Sequence, residues 1–163
     1  MSTDARADIL ARLRDVGRAP HLAPVAHPGE YAPVPATASA RVERFIAQVR
    51  ASGAEVVSAS DVVAPAADAV RFVGVVGVAE SGAVWVVPRT ADDRQQLFLA
   101  EHVTLVVSRA SLVDTLHDAY AAIDIAAAPF GCFVAGPSKT ADIEQTLVIG
   151  AHGPLGLTVE LVP

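Results

Sequence analysis

Two short stretches of the sequence carry residue types that can do chemistry. The longer one runs Phe133-Val-Ala-Gly136-Pro137-Ser138-Lys139-Thr140-Ala-Asp142-Ile-Glu144 and continues to Gly150-Ala-His152-Gly153-Pro154. Ser138 or Thr140 can cap a helix starting here, and the free N–H groups of a helix start favour anions. Lys139, the single lysine against eleven arginines, would add a full positive charge beside them. Asp142 and Glu144 would suit the dipole of the first turn, and would compete with an external anion for the same field. His152 can give or take a proton near neutral pH, or hydrogen-bond the last helix carbonyls. The plainer alternative is a capped helix whose Ile143, Leu147 and Val148 enter the core.

The second stretch is Gly74-Val-Val-Gly77-Val-Ala-Glu80-Ser81-Gly82-Ala-Val-Trp85. It places a carboxylate at a tight turn between two apolar runs. Glu80 there is either a base, nucleophile or ligand contact in a cleft, or a turn residue bonded to nearby N–H groups.

Several other chemistries are excluded by spacing. Gly131 and Gly136 are spaced as in a phosphate-binding P-loop, but Lys139-Thr140 comes two residues late and Gly131 begins a strand. Gly74 and Gly77 do not make the GxGxxG of a dinucleotide site. His21 and His27 lie among prolines and make a poor preorganised metal site. His102 and His117 suggest no role. Cys132, on an apolar strand, reads as an inert buried thiol. As the one cysteine, it rules out an intrachain disulfide and a Cys₄ zinc or iron–sulfur site within this sequence. No metal, flavin or nicotinamide is therefore expected as a cofactor.

Composition narrows the class further. The 163 residues fit one domain, and 52% apolar with 18% charged residues supply a core. A net charge of −6 with singly scattered basic residues argues against nucleic acid as a partner. The longest apolar runs are strand-length, well short of the roughly 20 residues of a membrane helix. The N-terminal residues show no apolar signal segment. A cytoplasmic protein with no membrane partner is expected.

The elements that must position these residues follow from periodicity. A first amphipathic helix is expected over 4–17, with Ile9, Leu10, Leu13 and Val16 on one face. Residues 18–38 hold five prolines and read as an extended arm. Such an arm can pack on a neighbour, which leaves a homo-oligomer open. The division is thus 1–38, helix and proline-rich arm, and 39–163, an α/β domain. Within the latter a helix is expected over 40–51 and strands over 55–58, 70–78 and 83–87. Residues 61–68 are ambiguous. Helical turns are expected over 92–99, a strand over 102–107, and a helix capped by Ser108 or Ser111 reaching 125. A strand over 132–135, a helix over 140–150 and a strand over 157–162 complete the pattern. Strands alternating with helices predict a mixed, mainly parallel sheet flanked by helices. Both chemical stretches follow strand ends. One cleft between the Glu80-Ser81-Gly82 turn and the start of the 140–150 helix is therefore expected to take an organic acid or phosphate.

Together the two stretches resemble the LUD-domain family, the LutC/YkgG lactate-utilisation group. Ala79-Glu80-Ser81-Gly82-Ala83 is similar to the family's Ala-Glu-Thr/Ser-Gly-Thr turn. Gly136-Pro137-Ser138-Lys139-Thr140-Ala141-Asp142-Ile143-Glu144, followed by Gly150-Ala-His152-Gly153-Pro154, is similar to its C-terminal signature. The resemblance covers about Val70 to Pro163. Typical relatives hold an additional βα segment before the Glu-Ser-Gly turn, so a shortened member is implied. The resemblance implies a fold like the NagB/RpiA/CoA-transferase group. It also implies a part in oxidising L-lactate to pyruvate with two iron–sulfur partner proteins, as a non-redox accessory component. It supplies no established catalytic residue. Fold relatives include CoA transferases and nucleotide-binding ligases. A stand-alone enzyme or a ligand-binding module for an organic acid, CoA thioester or sugar phosphate is the alternative, and whether the chain is an enzyme is left open.

Overall fold

A computed structural model describes residues 3–16, 37–58, 69–141 and 147–163. The chain divides into a unit of residues 1–33 and a unit of residues 34–163. The first contains helix α1, Thr3–Val16, which carries Ile9 and Leu10 on exposed positions. The proline-rich stretch up to residue 36 and the ambiguous 61–68 lie outside the described residues, as do Asp142 and Glu144.

The second unit opens with α2, Ala38–Ala51, whose N-cap Thr37 accepts a hydrogen bond from the Ala40 N–H. Phe45 and Val49, four residues apart on one face, are its buried anchors. The remaining elements are β1 (Glu55–Ser58), β2 (Ala69–Val78), β3 (Ala83–Val86), α3 (Ala91–Leu99) and β4 (His102–Ser108). They continue with β5 (Leu112–Val113), α4 (Leu116–Ala122), β6 (Cys132–Val134), β7 (Lys139–Ala141), β8 (Leu147–Ile149) and β9 (Gly156–Val162).

The described residues form a seven-stranded sheet in the order β1-β9-β4-β2-β3-β6, with β5 also paired to β2. β1, β9, β4 and β2 run parallel, as does β5 against β2; β3 is antiparallel to β2 and β6 to β3. The sheet is thus mixed and mostly parallel, flanked by helices. On one face α2 and α3 cover a core that includes Leu105, Val107, Leu157, Val159 and Leu161. β2 changes partner along its length, from β4 at Ala69–Val73 to β5 at Gly77–Val78. A register shift between Gly74 and Val76 accompanies the change. The irregularity lets Gly74 and Gly77, three residues apart, face the same core: a side chain on either would run into Val107. Val76 and Val78 instead join Ala83 and Ala119 in a small cluster under α4.

Two sequence expectations are corrected. No helix spans 140–150: Lys139–Ala141 and Leu147–Ile149 form an antiparallel pair, β7 with β8. Val148 and Ile149 there are 42% and 48% exposed, so they do not enter the core as helix residues would. Nor does one helix run from Ser108 to 125. Ser108 caps only a 3₁₀ turn, Arg109–Ser111, and strand β5 follows it. α4 begins later, in a capping box between Thr115 and Asp118.

Candidate functional site

The Glu80-Ser81-Gly82 turn connects β2 to β3. Its backbone is fixed from both sides: the Gly82 N–H donates to Val78 O (2.8 Å) and the Glu80 N–H to Asp114 O (3.1 Å). Gly82 has φ +70, and a Cβ there would stand 2.6 Å from the backbone nitrogen of Val49. Glycine is thus required both by the left-handed conformation and by the close approach of α2. Glu80 is half-buried, and its Oε1 accepts a 2.6 Å hydrogen bond from the Leu116 N–H, the first residue of α4. Its carboxylate therefore serves an orphan donor at a helix start, which a turn carboxylate can do as readily as it can meet a ligand. The Ser81 Oγ accepts from the Ala83 N–H at 3.3 Å.

Beside this turn lies a pair that nothing in the sequence announced. The Arg41 guanidinium of α2 binds the Asp114 carboxylate through Nε–Oδ1 (2.9 Å) and Nη2–Oδ2 (2.6 Å). The hydrogen bond from Arg41 is the main cause holding the Asp114 carboxyl below the usual carboxylate range, against desolvation. Arg41 is raised in turn, chiefly by the same bond. The two residues are 73 positions apart, so only the folded sheet brings them together.

The longer stretch also returns to α2. Gly136, with φ +73, comes so close to Ser52 that a Cβ would lie 2.5 Å from the Ser52 carbonyl oxygen. Lys139 is exposed, and its Nζ donates to that same carbonyl at 2.5 Å. Ser52 is the C-cap of α2, so the lysine satisfies a free carbonyl at the negative end of that helix. Ser138 ties the stretch to the His152 loop. Its N–H donates to Pro154 O, its carbonyl accepts from the Gly150 N–H, and its Oγ accepts from the His152 N–H. Thr140 pairs with Val148 within β7–β8.

The expected residues are therefore gathered in two groups. Glu80 is anchored at the start of α4, whereas Ser138, Lys139 and His152 form one braced loop at the C-terminal end of α2. Gly82 and Gly136 seat both groups on α2, at Val49 and at Ser52. Lys139–Ala141 is a strand, so it offers no helix-start N–H groups to an anion. A groove of about 560 Å³ is lined by His152 and Glu101 together with apolar Phe98, Leu99 and Leu155. Neither Glu80 nor Lys139 lines it. Among the described residues no group of three or more His, Cys, Asp or Glu could hold a metal ion. No helix among them is long and apolar enough to cross a membrane.

Comparison with known proteins gives this arrangement a lineage. Lactate utilization protein C of Geobacillus thermodenitrificans is 37% identical over 84 residues, 48% of this chain and 35% of that protein. The protein of the same name from Geobacillus kaustophilus is 34% identical over 84 residues, with the same coverage of 48% and 35%. That from Oceanobacillus iheyensis is 55% identical over 31 residues, 19% of this chain and 13% of its own. The matched stretch thus spans at most about a third of these relatives. The crystal structure of a DUF162 family protein from Deinococcus radiodurans shares the fold, with a TM-score of 0.55 at 18% identity. The match covers 79% of this chain and 100% of that one. The family model described as the LUD domain matches residues 64–162, from before β2 to the end of β9. That span contains both motif stretches and most of the sheet, and the chain belongs to the LUD domain family.

Proposed function

We propose that the chain is a LutC-like, non-redox accessory component of L-lactate oxidation to pyruvate, acting beside iron–sulfur partner proteins. The observation that carries this reading is the state of its one cysteine. Converting lactate to pyruvate releases two electrons and two protons, and the electrons need a carrier. Cys132 is half-buried, and burial pushes its thiol up from the usual range. One protonated thiol neither holds a cluster nor attacks a substrate readily. An iron–sulfur carrier then resides on a partner, and this chain supplies binding or assembly in a reducing, cytoplasmic setting. Relatives named Lactate utilization protein C support the substrate class.

A second reading is a stand-alone enzyme or ligand-binding module for an organic acid, CoA thioester or sugar phosphate. The groove that joins His152 to Glu101 favours it.

Gene deletion tests the first reading. Growth on L-lactate is expected to stop while growth on pyruvate continues, and a Cys132→Ala allele is expected to restore growth fully. Undiminished growth on lactate after deletion would overturn the proposal. So would failure of the Cys132→Ala allele with a normally folded product. Titration calorimetry of the purified protein with L-lactate, acetyl-CoA or glucose 6-phosphate tests the second reading.

A further inference from the structure

β3 and β6 place two aromatic rings side by side. Trp85 stands opposite Phe133 in the register, with ring centroids 4.8 Å apart, and Tyr120 of α4 meets Phe133 edge-on at 5.6 Å. Trp85 packs against the small cluster under α4 yet stays half-buried. A pocket of about 240 Å³ opens beside it, walled by Trp85, Val87, Phe130 and Gly131 together with the segment that follows α4. Gly131 shapes this wall: a Cβ there would stand 2.3 Å from Cζ2 of Trp85, so any larger residue would push the indole aside. The volume lies below the roughly 300 Å³ at which pockets begin to take drug-sized ligands, so the occupant is a molecule of few heavy atoms.

Among the residues lining the pocket only Asp124 is charged. Its Oδ1 accepts the Ala126 N–H at 2.9 Å as the cap of a 3₁₀ turn, and among the described residues no cation pairs with it. The adjoining groove of about 660 Å³ shares Trp85 and Asp124, and its other charges balance. Arg71 is tied to buried Glu160 at 2.6 Å, and Arg89 and Asp93 are one of each sign. Arg94 holds its guanidinium 5.4 Å from the Phe130 ring centroid but lines neither cavity. An aromatic wall beside one uncompensated carboxylate is complementary to a cation. A primary ammonium or a guanidinium would bring several N–H donors into a pocket with few acceptors to meet them. A methylated ammonium brings fewer or none, and its methyl groups suit the indole face and Val87.

We propose that this pocket binds a small methylated ammonium compound, its cationic head against the Trp85 indole and beside the Asp124 carboxylate. The inference is independent of the metabolic role proposed above.

Trp85 is the only tryptophan of the chain, so its fluorescence reads the pocket directly. Titration of the full chain with choline is expected to change that emission saturably at millimolar concentration or below. The neutral isostere of choline, with a tert-butyl group in place of trimethylammonium, keeps the shape and loses the charge. It is expected to bind at least about tenfold more weakly. Asp124→Asn keeps a capping oxygen for the Ala126 N–H and removes the charge, so the melting temperature stays near that of the wild type while choline binding weakens about tenfold. No saturable response to millimolar choline overturns the proposal. Equal affinity for choline and its isostere also overturns it, and that comparison needs only the wild-type protein. A folded Asp124→Asn protein with full choline affinity overturns it by placing the cation elsewhere.

Discussion

Arg41 on α2 holds Asp114, just before α4, in a two-pronged ion pair with contacts of 2.9 and 2.6 Å. The side chains retain 30% and 17% of their exposure, so solvent tempers the pair without dissolving it. Arg41→Ala is expected to destabilise the protein by about 1–2 kcal/mol near neutral pH. Because Asp114 titrates below its unfolded value, the pair's contribution is complete above the unfolded carboxylate pKa of about 4. It fades as pH falls through the lower folded value. Chemical denaturation of the two proteins should therefore show a gap at pH 7 that narrows in acid. A gap independent of pH would assign the loss to packing alone.

Glu80 caps α4 through the Leu116 N–H. Glu80→Ala is expected to cost about 1 kcal/mol and to speed amide exchange at Leu116. Glu80→Gln keeps an acceptor oxygen and should recover most of the stability. If the glutamine protein is stable yet fails to support growth on lactate, the carboxylate has a chemical duty beyond the cap.

Gly82→Ala should be severe. The added methyl meets the α2 backbone at Gln48–Val49, and the residue keeps a positive φ. A loss of roughly 2–4 kcal/mol is expected, read from denaturant midpoints. Near-normal stability would mean that the turn and α2 separate easily.

Lys139→Ala removes the bond to Ser52 O, an exposed carbonyl contact that water can replace. The expected loss is below about 1 kcal/mol. Calorimetry with L-lactate, pyruvate and inorganic phosphate is expected to give the same affinities as the wild type. Weaker binding in the variant would return the lysine to the ligand site.

Most of the sheet was readable because its strands announce themselves locally. Alternation and β-branched runs mark β2, β4 and β9, and glycine at residue 53 marks the end of α2. The mistaken 140–150 helix has a physical cause. Ile143, Leu147 and Val148 are spaced for a helix, while the competing β7–β8 pairing depends on Lys139–Ala141 meeting Leu147–Ile149. The start of α4 is legible in the sequence, since Thr115-Leu-His-Asp118 is a capping-box pattern. The site was legible only as residue types. That Gly82 and Gly136 rest on one helix, and that Arg41 reaches Asp114, depends on contacts between distant parts of the chain, which no local pattern encodes.

The position of β9 has a consequence for synthesis. This strand lies between β1 and β4, yet it leaves the ribosome after every other strand of the sheet. Until then β1 has no neighbour among the described strands, and one edge of β4 shows a row of free amides and carbonyls. A nascent chain in that state can form the β2–β3 hairpin and dock α2, but it holds an open slot that any extended peptide could fill. Stalled or prematurely terminated translation would therefore yield sticky fragments rather than smaller folded proteins.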